Sequence, residues 1–80
     1  MNIPDRINGH WIAALLDDQL VAAEAELHAT FRRQEIAEKK RAGTRYVLLQ
    51  GPAELINAWN RWLLASNETR SRGLAVHRRA

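Results

Sequence analysis

The residues able to do chemistry in this 80-residue chain are few, and their spacing decides what they can do. His10, His28 and His77 lie far apart, and only Glu24 and His28 stand one helical turn from each other. Two ligands fall short of the three or four that hold a zinc ion, so the histidines read as solvated or pairing side chains and no metal site is expected. Ser66 and Ser71 lack the glycine-flanked elbow that exposes a catalytic serine, and no cysteine is present to act as a thiolate. Asp17 and Asp18 are neighbours, which on a helix turns them about 100° apart and leaves them poorly placed to share a substrate. Punctuating a helix start suits them better. Gln50-Gly51-Pro52 precedes an apolar stretch as an anion-binding loop would, yet it lacks the glycine spacing of a phosphate loop and its proline removes a donor. The Asn67-Glu68-Thr69 glycosylation pattern is idle without a secretory signal. No catalytic, cofactor-binding or metal-ligating residue is therefore assigned, and the chain is expected not to be an enzyme.

Cations and tryptophans offer binding rather than catalysis. Arg32, Arg33, Lys39, Lys40, Arg41 and Arg45 form a cluster, and Arg70, Arg72, Arg78 and Arg79 follow near the C-terminus. Such groups meet phosphates without reading bases. A helix-turn-helix is not indicated, because Gly43 stands too far from Ala37 for its turn and a β-like segment follows where a recognition helix belongs. The competing reading of the cluster is a solvated helix end and a loose tail. Trp11, Trp59 and Trp62 suit a core, but three of them are much for a small core to hide, and tryptophan is enriched at interface hot spots.

The distribution of charge weighs against a nucleic-acid partner. The net charge is +3 and the pI near 10.2. From Met1 to Glu26 there is one basic residue against five acidic ones, net −4, and from Leu27 to Arg45 six basic residues against Glu35 and Glu38, net +4. Residues 46–67 are neutral, and 68–80 carry four arginines and Glu68, net +3. The body sums to zero and the excess lies in the tail, a poor electrostatic match for DNA.

These residues must be positioned by helices. Asn8 suits a cap, and Trp11, Ile12, Leu15, Leu16, Leu20, Ala23, Leu27 and Phe31 follow at spacings of three and four, which predicts an apolar stripe on one helix face. The stripe shifts by roughly a quarter turn across Asp17-Asp18, so the helix either bends there or is two helices with Asp18 capping the second. Past Phe31 the stripe fades into charged residues, an end expected to project into water or against a partner. Gly43 stops the helix after a basic last turn. Tyr46-Val47-Leu48-Leu49 reads as a short buried strand. Pro52 at the first position and Glu54 in the first turn open a second helix, with Leu55, Ile56, Trp59, Trp62, Leu63 and Ser66 on one face. Leu74 to Val76 is a candidate second strand of a small βαβ unit.

The expected architecture is mainly α: a long N-terminal helix, a short strand, a second amphipathic helix and a basic tail, with residues 1–67 as one helical domain and 68–80 as the tail. An unbroken helix from His10 to Arg41 would be roughly 48 Å long at 1.5 Å per residue, more than a domain of this size can shelter. At 80 residues with no cysteine, self-association is the remaining common source of stability. The acidic and basic halves of that helix complement a second copy laid antiparallel. A homodimer is expected, its interface or that with another protein formed by Leu16, Leu20, Leu27, Phe31, Trp59 and Trp62. The longest apolar run, Trp11 to Leu16, is too short for a bilayer, so a cytoplasmic chain with no membrane contact is expected. The leading reading is a non-enzymatic interaction or regulatory protein of adaptor or inhibitor type. The alternative is a nucleic-acid-binding accessory or transcription-regulatory protein using the basic cluster and tail.

Overall fold

Asn8 starts the first helix as its side chain predicts: Oδ1 accepts the Trp11 amide at 2.9 Å. A computed structural model of the chain describes residues 2–74, and every regular element among them is helical. Helix α1 spans Gly9–Ala13, α2 spans Asp17–Ala42 and α3 spans Ala53–Ser71, with short 3-10 turns at Gly43–Arg45 and Leu48–Gln50 joining α2 to α3. At 1.5 Å per residue α2 is about 39 Å long. It runs the length of a molecule measuring 39 × 23 × 18 Å.

Of the two arrangements predicted near Asp17-Asp18, the structure takes the break. The Leu15 amide closes a turn onto the Ile12 carbonyl at 3.2 Å, and Leu16 is extended, with ψ at 162°. Leu16, not Asp18, occupies the cap position, and its own amide is satisfied by Gln19 Oε1 at 2.9 Å. Asp17 and Asp18 instead lie in the first turn of α2, where carboxylates face the positive end of the helix dipole. The break lets α1 fold back against α3.

The packing of α3 along α2 overturns the premise of an unsheltered ridge. Leu20, Ala23, Leu27 and Phe31 are between 0% and 3% exposed within the single chain. Together with Ile12, Leu48, Leu55, Ala58, Trp62 and Ala65 they make the core. Phe31 lies nearly parallel to Trp62, the ring centroids 5.5 Å apart and the planes 10° from coplanar. Aromatic pairs of this kind add about 0.5–1.5 kcal/mol beyond the area they bury. The end expected to project into water is also drawn inward, since Glu35 and Glu38 are buried on the same side of α2.

The predicted strand is absent, and no strand occurs among the described residues. Tyr46 and Val47 are extended, but Leu48 to Gln50 curl into a 3-10 turn with Leu48 as the one buried side chain. An apolar run of four needs a partner strand to satisfy its backbone, and a hairpin of two helices provides none. Of the second candidate strand, Ala75 and Val76 lie outside the described residues, and Leu74 is irregular and packs against the core. Helix α2 ends at Gly43 as expected, at φ 59° and ψ −128°, a conformation that disfavours any side chain.

Pro52 precedes α3 as its cap, one place earlier than predicted, with Glu54 in the first turn. The buried face of α3 is rotated from the predicted one: Ala58, Ala65 and Thr69 join Leu55, Trp62 and Ser66, while Ile56, Trp59 and Leu63 are half-buried on one flank. The alanines allow close approach to α2 and α1, which bulky residues on the flank would prevent. Helix α3 continues beyond Asn67, where composition suggested a tail, as far as Ser71. Arg72 then ties the ends together. It donates to the Leu15 carbonyl at 2.7 Å, the Ala13 carbonyl at 3.1 Å, Asp17 Oδ1 at 3.0 Å and Glu68 Oε2 at 2.8 Å.

Two leucines one helical turn apart test this packing. Leu20→Ala, at a fully buried site, is expected to lower stability by about 2–5 kcal/mol, whereas Leu16→Ala, at 67% exposure, changes it by about 0.5 kcal/mol or less. Denaturant unfolding of both variants checks this; equal losses would contradict a ridge sheltered within one chain.

Candidate interaction surfaces

Leu20, Leu27, Phe31 and Trp62 are core residues, so no second molecule reaches them without unfolding the hairpin. Trp11 and Trp59 are half-buried and pack against the core. Leu16 alone of the six predicted interface residues is open. The large apolar side chains exposed among the described residues are Leu16, Val21, Ile36, Val47 and Leu49, at 67%, 43%, 45%, 49% and 66%.

The basic cluster divides in two. Glu35, fully buried on α2, accepts from Arg32 Nη1 one turn earlier and from the Tyr46 hydroxyl at 2.8 Å. Lys39 Nζ lies 4.0 Å from Glu35 and 5.4 Å from the centre of the Tyr46 ring, within cation–π range. Glu38 accepts from Arg41 through both oxygens, Nε to Oε2 at 3.1 Å and Nη2 to Oε1. Arg32, Lys39 and Arg41 therefore serve the fold: they neutralise buried carboxylates and pin the loop after α2 through Tyr46. Arg33, Lys40 and Arg45 take part in no ion pair among the described residues. Of the tail arginines, Arg72 is bound into the corner, Arg70 is exposed in the last turn of α3, and Arg78 and Arg79 lie outside the described residues, as does His77.

The Arg41 guanidinium sets the titration of Glu38. Its hydrogen bond, and secondarily its charge, hold the carboxyl below the ordinary glutamate value of 4.5, against an opposing contribution from burial. The same pair raises Arg41. Arg72 is likewise raised, first by its bond to Glu68 and then by Asp17.

A hollow borders the Glu38–Arg41 pair, and another lies away from it. A cleft of about 250 Å³ at the end of α2 is lined by the Glu38–Arg41 pair, Arg45, Tyr46, Val47 and Gln50. A shallower one of about 470 Å³ lies between the N-terminal segment and α3, lined by Asp5, Arg6, Ile7, Asn57, Asn60 and Leu64. Arg61, also in its lining, donates to the Pro4 carbonyl at 2.8 Å. Among the described residues no group of three or more His, Asp or Glu is placed to hold a metal ion. No helix there is long and apolar enough to cross a membrane.

Burial of Glu24, Glu35 and Glu38 is the feature that sequence reasoning missed. One signal is present for Glu35 and Glu38: each has an arginine three residues away, and both fall in line with Leu20, Leu27 and Phe31 at helical spacing. In comparisons with known proteins, no family model, no curated protein and no solved structure matches the chain.

The Glu38–Arg41 pair has a pH signature. A carboxyl whose folded pKa is depressed stabilises the fold above its unfolded value and loses that contribution as pH falls through the folded one. Arg41→Ala is therefore expected to melt below the parent at neutral pH, and the two melting points should converge as pH drops beneath 4.5. A gap independent of pH, read by thermal unfolding across that range, would show that Arg41 acts through packing alone.

Proposed function

We propose that this chain is a non-enzymatic interaction protein of adaptor or inhibitor type, which acts by holding another protein and does so as a homodimer. One observation carries the reading. Every large apolar side chain exposed among the described residues belongs to α2, to its cap Leu16, or to the connection that leaves it, Val47 and Leu49; none belongs to α1 or α3. Single exposed apolar residues are ordinary on any surface. Their concentration along and at both ends of one element is what supports an interface there, and interface cores favour such side chains over charges. The surface differs from the one predicted, since the inner ridge of the helix serves the fold and the outer side and ends remain for partners.

Two measurements test this reading. Sedimentation equilibrium of the intact chain at micromolar concentration is expected to give the mass of a dimer; a monomer throughout would remove the self-association. Capture from the native host with the parent and with a Val47→Glu/Leu49→Glu variant separates specific partners from background. A partner protein held by the parent and lost by the variant is expected. Identical captures would count against the exposed connection as a binding site.

A second reading has its own support, since Arg33, Lys40 and Arg45 are cations without an ion pair among the described residues and could meet phosphates. Three such contacts would make the logarithm of affinity for duplex DNA fall with the logarithm of salt at a slope of about −3. Absence of binding at low salt, or a slope near zero, would eliminate it.

A further inference from the structure

Resting on the homodimer reading above, we infer that the second copy lies antiparallel along the outward face of α2, with the axis of symmetry passing beside Ala29. At about 100° per residue, Ala22, Ala29 and Ile36 fall in one line on the side of α2 opposite the buried Leu20, Leu27 and Phe31. All three are exposed, and Ala25 beside them is half-buried. Among the described residues the other helices pack against the inward side, so this face is open along its length.

The charges specify the occupant. The remaining charges of the outward side are Asp18 and Glu26 in the first half of α2, and Arg33 and Lys40 in the second. None of these four forms an ion pair among the described residues, whereas Asp17, Arg32, Glu35, Glu38, Lys39 and Arg41 all do. The inward charges are thus satisfied within the chain, and the outward ones are left in an arrangement with its own complement.

Turning a second α2 end for end about Ala29 brings together residues equally far from that centre. Asp18 and Lys40 are each eleven residues from Ala29, three helical turns, and so meet across the pair. Ala22 and Ile36 are each seven residues away, two turns, so the Ile36 side chain of each copy packs over the small Ala22 of the other. Glu26 and Arg33, three and four residues from the centre, face each other beside it. Alanine at 22, 25 and 29 allows the two axes to approach to the short end of the usual helix-pair distance, about 8 Å. A parallel pair would instead set Asp18 against its own copy and Lys40 against its own copy. Like charges across an interface are costly, and complementary ones fix orientation more than they raise affinity.

Single cysteines read this geometry directly, because the chain has none of its own. Ala29→Cys is expected to cross-link to itself under mild oxidation. Ala22→Cys and Ile36→Cys are each expected to cross-link poorly alone and many-fold better when mixed. Lys40→Glu should weaken association several-fold by sedimentation, and adding Asp18→Lys to the same chain should restore it. Circular dichroism confirms that each variant is folded, and the substituted positions are exposed. A dimer in which Ala29→Cys fails to cross-link, or in which Ala22→Cys links to itself, overturns this arrangement and leaves the homodimer reading standing. A monomer at every concentration overturns both.

Discussion

The stacking of Phe31 on Trp62 fixes how closely α2 and α3 run together, and the other contacts are arranged around that distance. The rings meet near the middle of both helices. To one side of them Leu20 and Ala23 are fully buried, and to the other Glu35 and Tyr46 hold the connection. A chain of 80 residues without a disulfide has little core to spend, and here nearly all of it is a single seam between two helices. Arg72 matters for the same reason. By bonding two carbonyls of the α1–α2 corner and a carboxylate at each end, it prevents the open end of the hairpin from fraying.

Charge is sorted by side. On the inward side of α2 Glu24, Glu35 and Glu38 are buried; Glu35 and Glu38 each have an arginine one turn away, and Glu35 also has a phenol. A buried pair of this kind contributes less to net stability than to specificity, since removing one partner strands the other. The outward side carries acids first and bases later, with no ion pair among the described residues. The high pI therefore says little about nucleic acid: half of the basic cluster is spent on Glu35 and Glu38.

What could be read from the chain, and what could not, follows from the range of the interactions. Caps and stops are local, so Asn8, Gly43 and the Pro52 start of α3 were legible to within a residue. The break before Asp17 was visible as a shift of the apolar stripe. Its consequence was not, because whether α1 turns back onto α3 depends on contacts from Leu15 to Arg72, far apart in sequence. Tyr46 to Leu49 looks like a strand by composition, and only the absence of a partner strand decides otherwise. Glu35 and Glu38 look like solvent-facing residues by type, although their helical position is that of the core. The predicted interface shows the same gap: Leu20, Leu27, Phe31 and Trp62 lie together, but in the core of the single chain. Leu16 stayed exposed because the backbone turns at that residue.

The account that remains is of a helical hairpin whose inner seam is complete and whose longest helix presents an open, charge-sorted outer side. Isotope-filtered nuclear Overhauser spectroscopy on a mixture of labelled and unlabelled chains tests this most directly, since it sees only contacts between different molecules. The account predicts intermolecular signals between the Ala22 methyl and the Ile36 methyls. Intermolecular signals from Leu20, Leu27 or Phe31, or none from α2 at all, would contradict it.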